Sequence, residues 1–559
     1  MNSIPLIVPW TNWIGDYASS GLSVSAPRTK EDLVQIVETA IANGQRLRAV
    51  GAAHSTTSVA RPDDLLVSLD AMQGTLPLDY LKPSLQSKAP YYVRLLAGTR
   101  LKYANRVLLG DKAVLNMGSF DWQSLIGAIL TGTHGSSIYT GPMAESVRSI
   151  EMVTVRKVDG APEIRLRRIE PANGITDPAA FERDESKHDT ELIQDDDTFS
   201  SAVVSFGSIG LVYSLTLEVT DEYWLKEDNR AIEWNDVKDL LRLETLSGFP
   251  YKLPRVLKEN RFWEFLVNCP EAQGKDATRN PMCFVRYRNL TDKVSKPDNW
   301  KDKYDWPPRR EKSSSLQRFV EDHVRPSLES QNGTILLFID IGNKIRGNFE
   351  RTADDPPFEG KVDYSRNYWV LRRERDDTKP QEEPERPSEA ISTEIAVPLE
   401  NTVAAVDRIL DIMARNRYFY AVPFGVRFVA PSRHYLAMQY DRPTCMIEIP
   451  MLLPLNLDKR AEQMSDYKAS LEEIEESLCY KAGNLGGRPH WGQYNALTRD
   501  RVEDLYAKLP EFERVYSTHN AFGTFDNMYT RQIGLVRSEL PAEAEENPAP
   551  LWIAAEQVL

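Results

Sequence analysis

Cysteine is scarce in this chain, with four residues in 559, at positions 269, 283, 445 and 479. No CxxC pair occurs and the spacing gives no disulfide framework. Neither a zinc site nor any other metal centre is expected, and the low count fits a reducing compartment. Positive charge is in deficit: 68 Lys and Arg face 82 Asp and Glu, a net charge of −14. Nucleic-acid affinity needs clustered Lys and Arg, so no nucleic-acid partner is expected. The nearest basic cluster, Arg165, Arg167 and Arg168, falls on an expected strand and reads as a solvated face. Long apolar runs are missing too. Nothing approaches the ~18–20 residues of a membrane span. The opening MNSIPLIVPWTNW lacks the basic and apolar regions of a secretory signal. The expectation is a cytoplasmic protein with no membrane span.

What is present is ample apolar material, 41% of residues, enough for a sizeable core. Residues 27–44 read as a helix capped by Thr29 with Asp32 three positions on, and ended by Gly44. Strands are expected at Leu47–Val50, Tyr92–Leu96, Ala113–Met117, Ser149–Val158, Glu163–Ile169 and Leu211–Val219. Composition shifts after about Tyr223. The second part carries expected strands at Ile335–Ile341 and Met446–Met451, and expected helices at Leu399–Arg415 and Ala461–Leu478. The charged, Pro-rich stretch 373–389 reads as a solvated loop, and the tail after Leu540 as peripheral.

Three segments carry chemistry. The first, RAVGAAHSTTS (residues 48–58), puts Gly51, Ala52 and Ala53 before His54. Such a backbone can approach a ligand closely and turn N–H groups toward an anion. Taken alone, a histidine in a small-residue loop is more often a structural hydrogen-bonder. The second, MGSFDWQSLIGAILTGTHGSS (117–137), intersperses Gly118, Gly127, Gly132 and Gly135 with Ser and Thr. It is neither a Walker A loop nor a Rossmann fingerprint. Its backbone suits a loop that wraps a diphosphate or lies against a flat ring. The third, SFGSIGLVYSLTLEV (205–219), opens a strand with Gly207 and Gly210, a weak signal by itself.

In this order the three segments resemble the FAD-binding domain of the vanillyl-alcohol oxidase and p-cresol methylhydroxylase family. The subgroup they are most similar to is that of the aldonolactone and alditol oxidases. WTNW (10–13), HWGQ (490–493) and FDNMY (525–529) match the same family. The resemblance implies an α+β fold: a two-lobed FAD-binding domain of the p-cresol methylhydroxylase type (1–224), a cap or substrate domain with a mixed or antiparallel sheet flanked by helices (225–486), and a C-terminal segment (487–559) returning to the FAD domain. It implies FAD attached through one covalent link, from His54 to the 8α-methyl carbon of the isoalloxazine. A second link through cysteine is excluded, because no cysteine precedes Cys269. The implied FAD contacts are Arg48, Gly51, Ala52, Ala53, His54, Ser55, Met117, Gly118, Ser119, Ser124, Gly127, Ala128, Thr131, Thr133, His134, Gly135, Gly207, Ile209, Gly210, Val212 and Asn527. His134 reads as shaping its loop.

On the substrate side, PFGVRFVAPSRHYL (423–436) resembles the subgroup's active-site strand, and Arg427 matches the family arginine beside flavin and substrate. The family's carboxylate two residues earlier is Gly425 here, and its HWGK lysine is Gln493. Both changes remove charge and leave a polyol or lactone held by those two groups in doubt. Glu448, in TCMIEIPML, is the expected replacement, paired with Arg427; Glu394, in STEIAVP, is a further candidate. A lone Glu in an apolar strand is costly unless paired. His490 is either a proton acceptor or a positioning hydrogen-bonder. The implied activity is an FAD-dependent oxidase of a CH–OH group, with O2 as acceptor and H2O2 as product. A dehydrogenase, a sterol oxidase and a flavin-bearing cyclase or isomerase are the alternatives.

Overall fold

The computed structural model describes residues 7–12, 14–118, 123–184, 189–267, 280–291, 390–416, 423–452 and 457–536. The expected strand at 335–341, the stretch 373–389, the tail after 540, Ser119 and Cys269 lie outside the described residues.

Local signals set the first lobe. Thr29 and Asp32 form the reciprocal cap expected from sequence, each side chain accepting from the other's backbone N–H. The helix Lys30–Ala42 buries Leu33, Val37 and Ala40. Strands β1 (Ile7–Thr11), β2 (Ala18–Ser25), β3 (Leu47–Val50) and β4 (Leu65–Ser68) form one sheet in the order β1-β2-β4-β3. A second sheet is built from β5 (Thr75–Leu76), β6 (Tyr92–Leu96), β7 (Lys112–Val114), β8 (Val147–Val158), β9 (Ala161–Glu170), β10 (Thr190–Gln194) and β11 (Leu211–Asp221). Its order is β10-β9-β8-β11-β6-β5, with β7 also pairing β11.

One expectation fails here. Arg167 and Arg168 are not solvated; of the three arginines only Arg165 is exposed. Helices Lys30–Ala42 and Asp196–Val203 pack against β9. Burial demands pairing, and the pairing is present. Arg168 lies 2.8 Å from Glu151 and 2.6 Å from Asp79; Arg167 lies 2.8 Å from Glu191 and 2.5 Å from Glu163.

The second lobe is one seven-stranded sheet and its helices. Strand β12 (Trp224–Glu233) is followed by a short ribbon of β13 (Leu243–Glu244) and β14 (Leu253–Pro254). Then come β15 (Phe262–Val267), β16 (Met282–Thr291), β17 (Ala390–Pro398), β18 (Phe424–Val429), β19 (Thr444–Leu452) and β20 (Arg488–Pro489). The order is β12-β16-β15-β18-β19-β17-β20, antiparallel throughout. Side chains alternate between its faces. Phe265, Val426, Ile447 and Ile395 share one face and pack with helices Thr402–Asn416 and Leu457–Glu475. Glu264, Arg427, Glu448 and Glu394 take the other face, toward the first lobe. Three helices then return to the first lobe: Arg499–Leu505, Leu509–His519 and Met528–Gln532. Helix Leu509–His519 packs on β8, and Leu47 N–H donates to Thr524 O at 2.9 Å. Among the described residues no helix is long and apolar enough to cross a membrane.

Candidate functional site

The loop after β3 needs its small residues. A Cβ on Gly51 would lie 2.1 Å from Ser124 Oγ, so only glycine allows the loop to close on the Ser124 turn. Ala53 sits in the left-handed region at φ 52° and turns the chain out toward His54. Three distant segments then fix this loop. Asn12 Nδ2 donates to Ser55 O at 2.9 Å. Thr56 N–H donates to Gly492 O at 2.9 Å, and Thr57 Oγ1 to Trp491 O at 3.0 Å. Asn527 Nδ2 donates to the carbonyls of Ser58, Val59 and Arg61 at 3.0–3.1 Å. The WTNW, HWGQ and FDNMY motifs therefore converge on the turn that carries His54.

The second small-residue segment joins the lobes. Ser124 caps the helix Leu125–Leu130, accepting from Gly127 N–H at 3.3 Å. Farther on, Ser136 Oγ donates to Trp263 O at 2.5 Å and accepts from Phe428 N–H at 3.1 Å. Ala430 N–H donates to Ser137 O at 3.2 Å.

Between these segments and the charged face of the cap sheet runs a cleft of about 1790 Å³, its open mouth included. Its walls include Arg48, Gly51, Ala52, Ala53, His54, Ser55, Gly118, Ser124, Gly127, Ala128, Thr131, Thr133, His134, Gly207, Gly210 and Val212. Glu394, Arg427, Glu448, His490 and Gln493 line the same cleft. Four expected contacts do not line it: Met117, Gly135, Ile209 and Asn527. Met117 and Ile209 are fully buried in the core instead. Asn527 is spent on the carbonyls named above. Sequence reading also missed wall residues, among them Asp70, Gln123, Phe206, Ser392 and Phe525, of which Gln123, Phe206 and Phe525 stand inside the quoted motifs.

The wall fits a flavin dinucleotide. Arg48 is 3% exposed and donates Nη1 to Phe206 O at 3.0 Å. Its Nε and Nη2 are buried with no acceptor among the described residues. Burial pulls its pKa down to about 10, the mark of a cation short of anionic contacts. A diphosphate would supply such contacts, and the small-residue turns would leave room for it.

At the other end, Arg427 Nη1 lies 2.6 Å from Glu448 Oε2 and 3.5 Å from Glu394 Oε1, and its Nε lies 3.5 Å from Glu264 Oε2. Burial works against the Arg427 charge, but Glu448, Glu264 and Glu394 outweigh it and raise its pKa. Glu448 stands directly across the ladder from Gly425. A carboxylate thus occupies the row of the absent one, from the neighbouring strand. Glu264, missed in the sequence, also lies 3.0 Å from Arg286 and 3.2 Å from Arg288; these arginines overcome its burial and hold its pKa at about 2. The signal that marked Glu448, one acid in an apolar strand, was present in FWEFLV. Gln493 Nε2 reaches Glu394 Oε2 at 3.5 Å.

His490 is buried, and Gly492 N–H donates to its Nδ1 at 3.0 Å. Burial lowers its pKa to about 4, with Glu394 opposing. The neutral ring then carries its proton on Nε2. Its basic nitrogen is engaged, so the ring positions and donates; it does not accept a proton in this geometry.

Comparison with known proteins follows the same division. Residues 22–157 match the model of an FAD binding domain, and residues 385–533 that of D-arabinono-1,4-lactone oxidase. An L-gulono-1,4-lactone dehydrogenase of Mycobacterium tuberculosis is 22% identical over 529 residues, 94% of this chain and 98% of that protein. An alditol oxidase of Streptomyces sp. is 30% identical over 210 residues, 37% of this chain and 41% of that one. The solved cholesterol oxidase of B. sterolicum superposes with a TM-score of 0.61 at 12% identity, covering 95% of this chain and 97% of that one, a likeness of fold.

Proposed function

Because the chain belongs to the FAD-linked oxidoreductases of the vanillyl-alcohol oxidase and p-cresol methylhydroxylase type, in the group bearing a D-arabinono-1,4-lactone oxidase domain, we propose that it oxidises a CH–OH carbon of a neutral alcohol, polyol, lactone or polycyclic substrate, with O2 as acceptor and H2O2 as product. One observation carries this reading: a single cleft is lined by His54 and the small-residue turns and also by the Arg427–Glu448 pair. Bound FAD supplies the hydride acceptor and is held through one covalent bond to His54. Arg48 answers the diphosphate charge, and the turns at Gly51 and Gly127 let the backbone approach it.

Glu448 takes the hydroxyl proton. Its side chain is 26% exposed, against 3% for Glu394 and 5% for Glu264, so it is the most accessible of the three carboxylates. Arg427 orients Glu448 and stabilises negative charge as it develops on the substrate oxygen. His490, with its proton on Nε2, is a donor that orients the substrate.

The test is a panel of alcohols, aldonolactones, alditols and sterols mixed anaerobically with the yellow protein. Bleaching identifies the substrate; no bleaching by any member rejects the reading in favour of a non-redox flavoprotein. Air is then admitted. Rapid reoxidation with stoichiometric peroxide supports the oxidase, whereas slow reoxidation makes the protein a dehydrogenase like its mycobacterial relative.

A further inference from the structure

His134 lines the cleft and is 6% exposed. Its Nδ1 lies 2.7 Å from Gly135 O, and its Nε2 lies 3.1 Å from Glu394 Oε1. A carbonyl oxygen only accepts, so Nδ1 carries hydrogen. The contact to Glu394 needs a proton as well. A neutral imidazole has one N–H to give. The His134–Glu394 pair therefore holds one proton more than a neutral ring beside a carboxylate.

Glu394 is 2% exposed, and burial alone would push its pKa up. The charge and hydrogen bond of His134, with Arg427, outweigh burial and hold it well below the usual carboxylate range. The other groups facing this pair are Arg427 from β18, Glu448 from β19, Glu264 from β15, and His490 and Gln493 after β20. Distances divide the partners. Glu394 is closer to His134, at 3.1 Å, than to Arg427, at 3.5 Å, and Arg427 is closest to Glu448, at 2.6 Å.

We infer that His134 is an imidazolium, and that it is a positioning residue which keeps Glu394 ionised and leaves Arg427 committed to Glu448, the acceptor of the substrate proton. The charged groups lining this end of the cleft make the consequence plain. Arg427 alone leaves one carboxylate of Glu394 and Glu448 uncompensated, and the His134 proton cancels it. Among the groups lining the cleft the charges then balance, and Glu264 behind them is paired with both Arg286 and Arg288, which matches a neutral alcohol and disfavours a cationic one.

The inference rests on the reading of the cleft as a flavin and alcohol site, so its test has an arm independent of turnover. The yellow holoprotein is prepared with 15N-histidine; only seven histidines contribute signals. His134→Gln identifies the resonances. Both His134 nitrogens should show protonated shifts in the wild type at pH 7, and Glu394→Gln should return the ring to one protonated and one bare nitrogen. A bare nitrogen in the wild type overturns the inference, whatever the activity. In the second arm, His134→Gln should slow anaerobic flavin reduction at least tenfold with flavin content retained. Adding Glu394→Gln removes the uncompensated carboxylate and should recover part of that loss. A double variant no faster than His134→Gln contradicts the charge argument. Colourless wild-type protein would instead sink the flavin reading and leave the nitrogen shifts to judge the proton on their own.

Discussion

Replacing Gly51 by alanine tests whether the two small-residue turns form one cradle. The added Cβ would lie 2.1 Å from Ser124 Oγ and 2.8 Å from Ser124 Cβ, both far inside contact distance. Ser124 is 4% exposed and cannot swing out freely. Its hydroxyl also caps the helix Leu125–Leu130 through Gly127 N–H. Displacing it costs the cap, about 1 kcal/mol, and overpacking adds about 1–3 kcal/mol. Gly51→Ala should therefore lose about 2–4 kcal/mol in urea unfolding and lower the flavin-to-protein absorbance ratio, since both residues line the cleft. Ser124→Gly removes the obstructing atoms. Combined with Gly51→Ala, it should recover the overpacking part but not the cap, a coupling of about 1–3 kcal/mol. An unchanged midpoint and full flavin content in Gly51→Ala, or no recovery in the double variant, would refute the contact and the shared cradle with it.

Further outcomes can be checked separately. Glu448→Gln should cut the rate of flavin reduction by about 10²–10⁴ while bound flavin stays at the wild-type ratio; unchanged turnover removes Glu448 from the proposed chemistry. Arg48→Met should lower flavin uptake during expression and raise the salt sensitivity of what remains; full, salt-independent loading would mean that Arg48 meets no phosphate. Stability should fall as pH drops from about 6.5 toward 4. Burial lowers His434 and His490 to about 4 and His519 to about 3. Their contribution is complete above the unfolded value of 6.5 and is lost as pH falls toward the folded values, each loss on the order of 3 kcal/mol. Glu475, pushed up to about 7 by burial, works in the opposite sense over the same window and offsets about one histidine. A urea midpoint at pH 5 equal to or above that at pH 7.5 would contradict this burial pattern.

Local signals were the most legible in the sequence. The Thr29–Asp32 cap, the end of the first helix near Gly44 and the strands beginning at Leu47 and Leu211 are properties of a few adjacent residues. The pairing of Arg427 with Glu448 was legible because an acid in TCMIEIPML demands a partner, and alternation in neighbouring antiparallel strands supplies one. What the sequence hid was long-range. Arg167 and Arg168 looked solvated because the helices that pack against β9 come from elsewhere in the chain. Asn527 looked like a ring contact because its motif travels with the flavin site, yet it acts through carbonyls some 466–469 residues away. His490 was ambiguous because its tautomer depends on a backbone N–H two residues later. Glu264 escaped because its partners lie on two other stretches of chain: one, with Arg427, resembles the family, and the other, with Arg286 and Arg288, carries no motif.

If the turn bearing His54 cradles FAD and bonds to it, the flavin stays with the chain after unfolding. The direct measurement is the visible spectrum of purified protein precipitated in acid and redissolved in denaturant, with a parallel His54→Ala sample. Yellow colour should stay with the wild-type polypeptide, and flavin should be released to the supernatant from the variant. Wild-type protein that is colourless before denaturation and takes up no FAD on reconstitution would contradict the cradle and the bond.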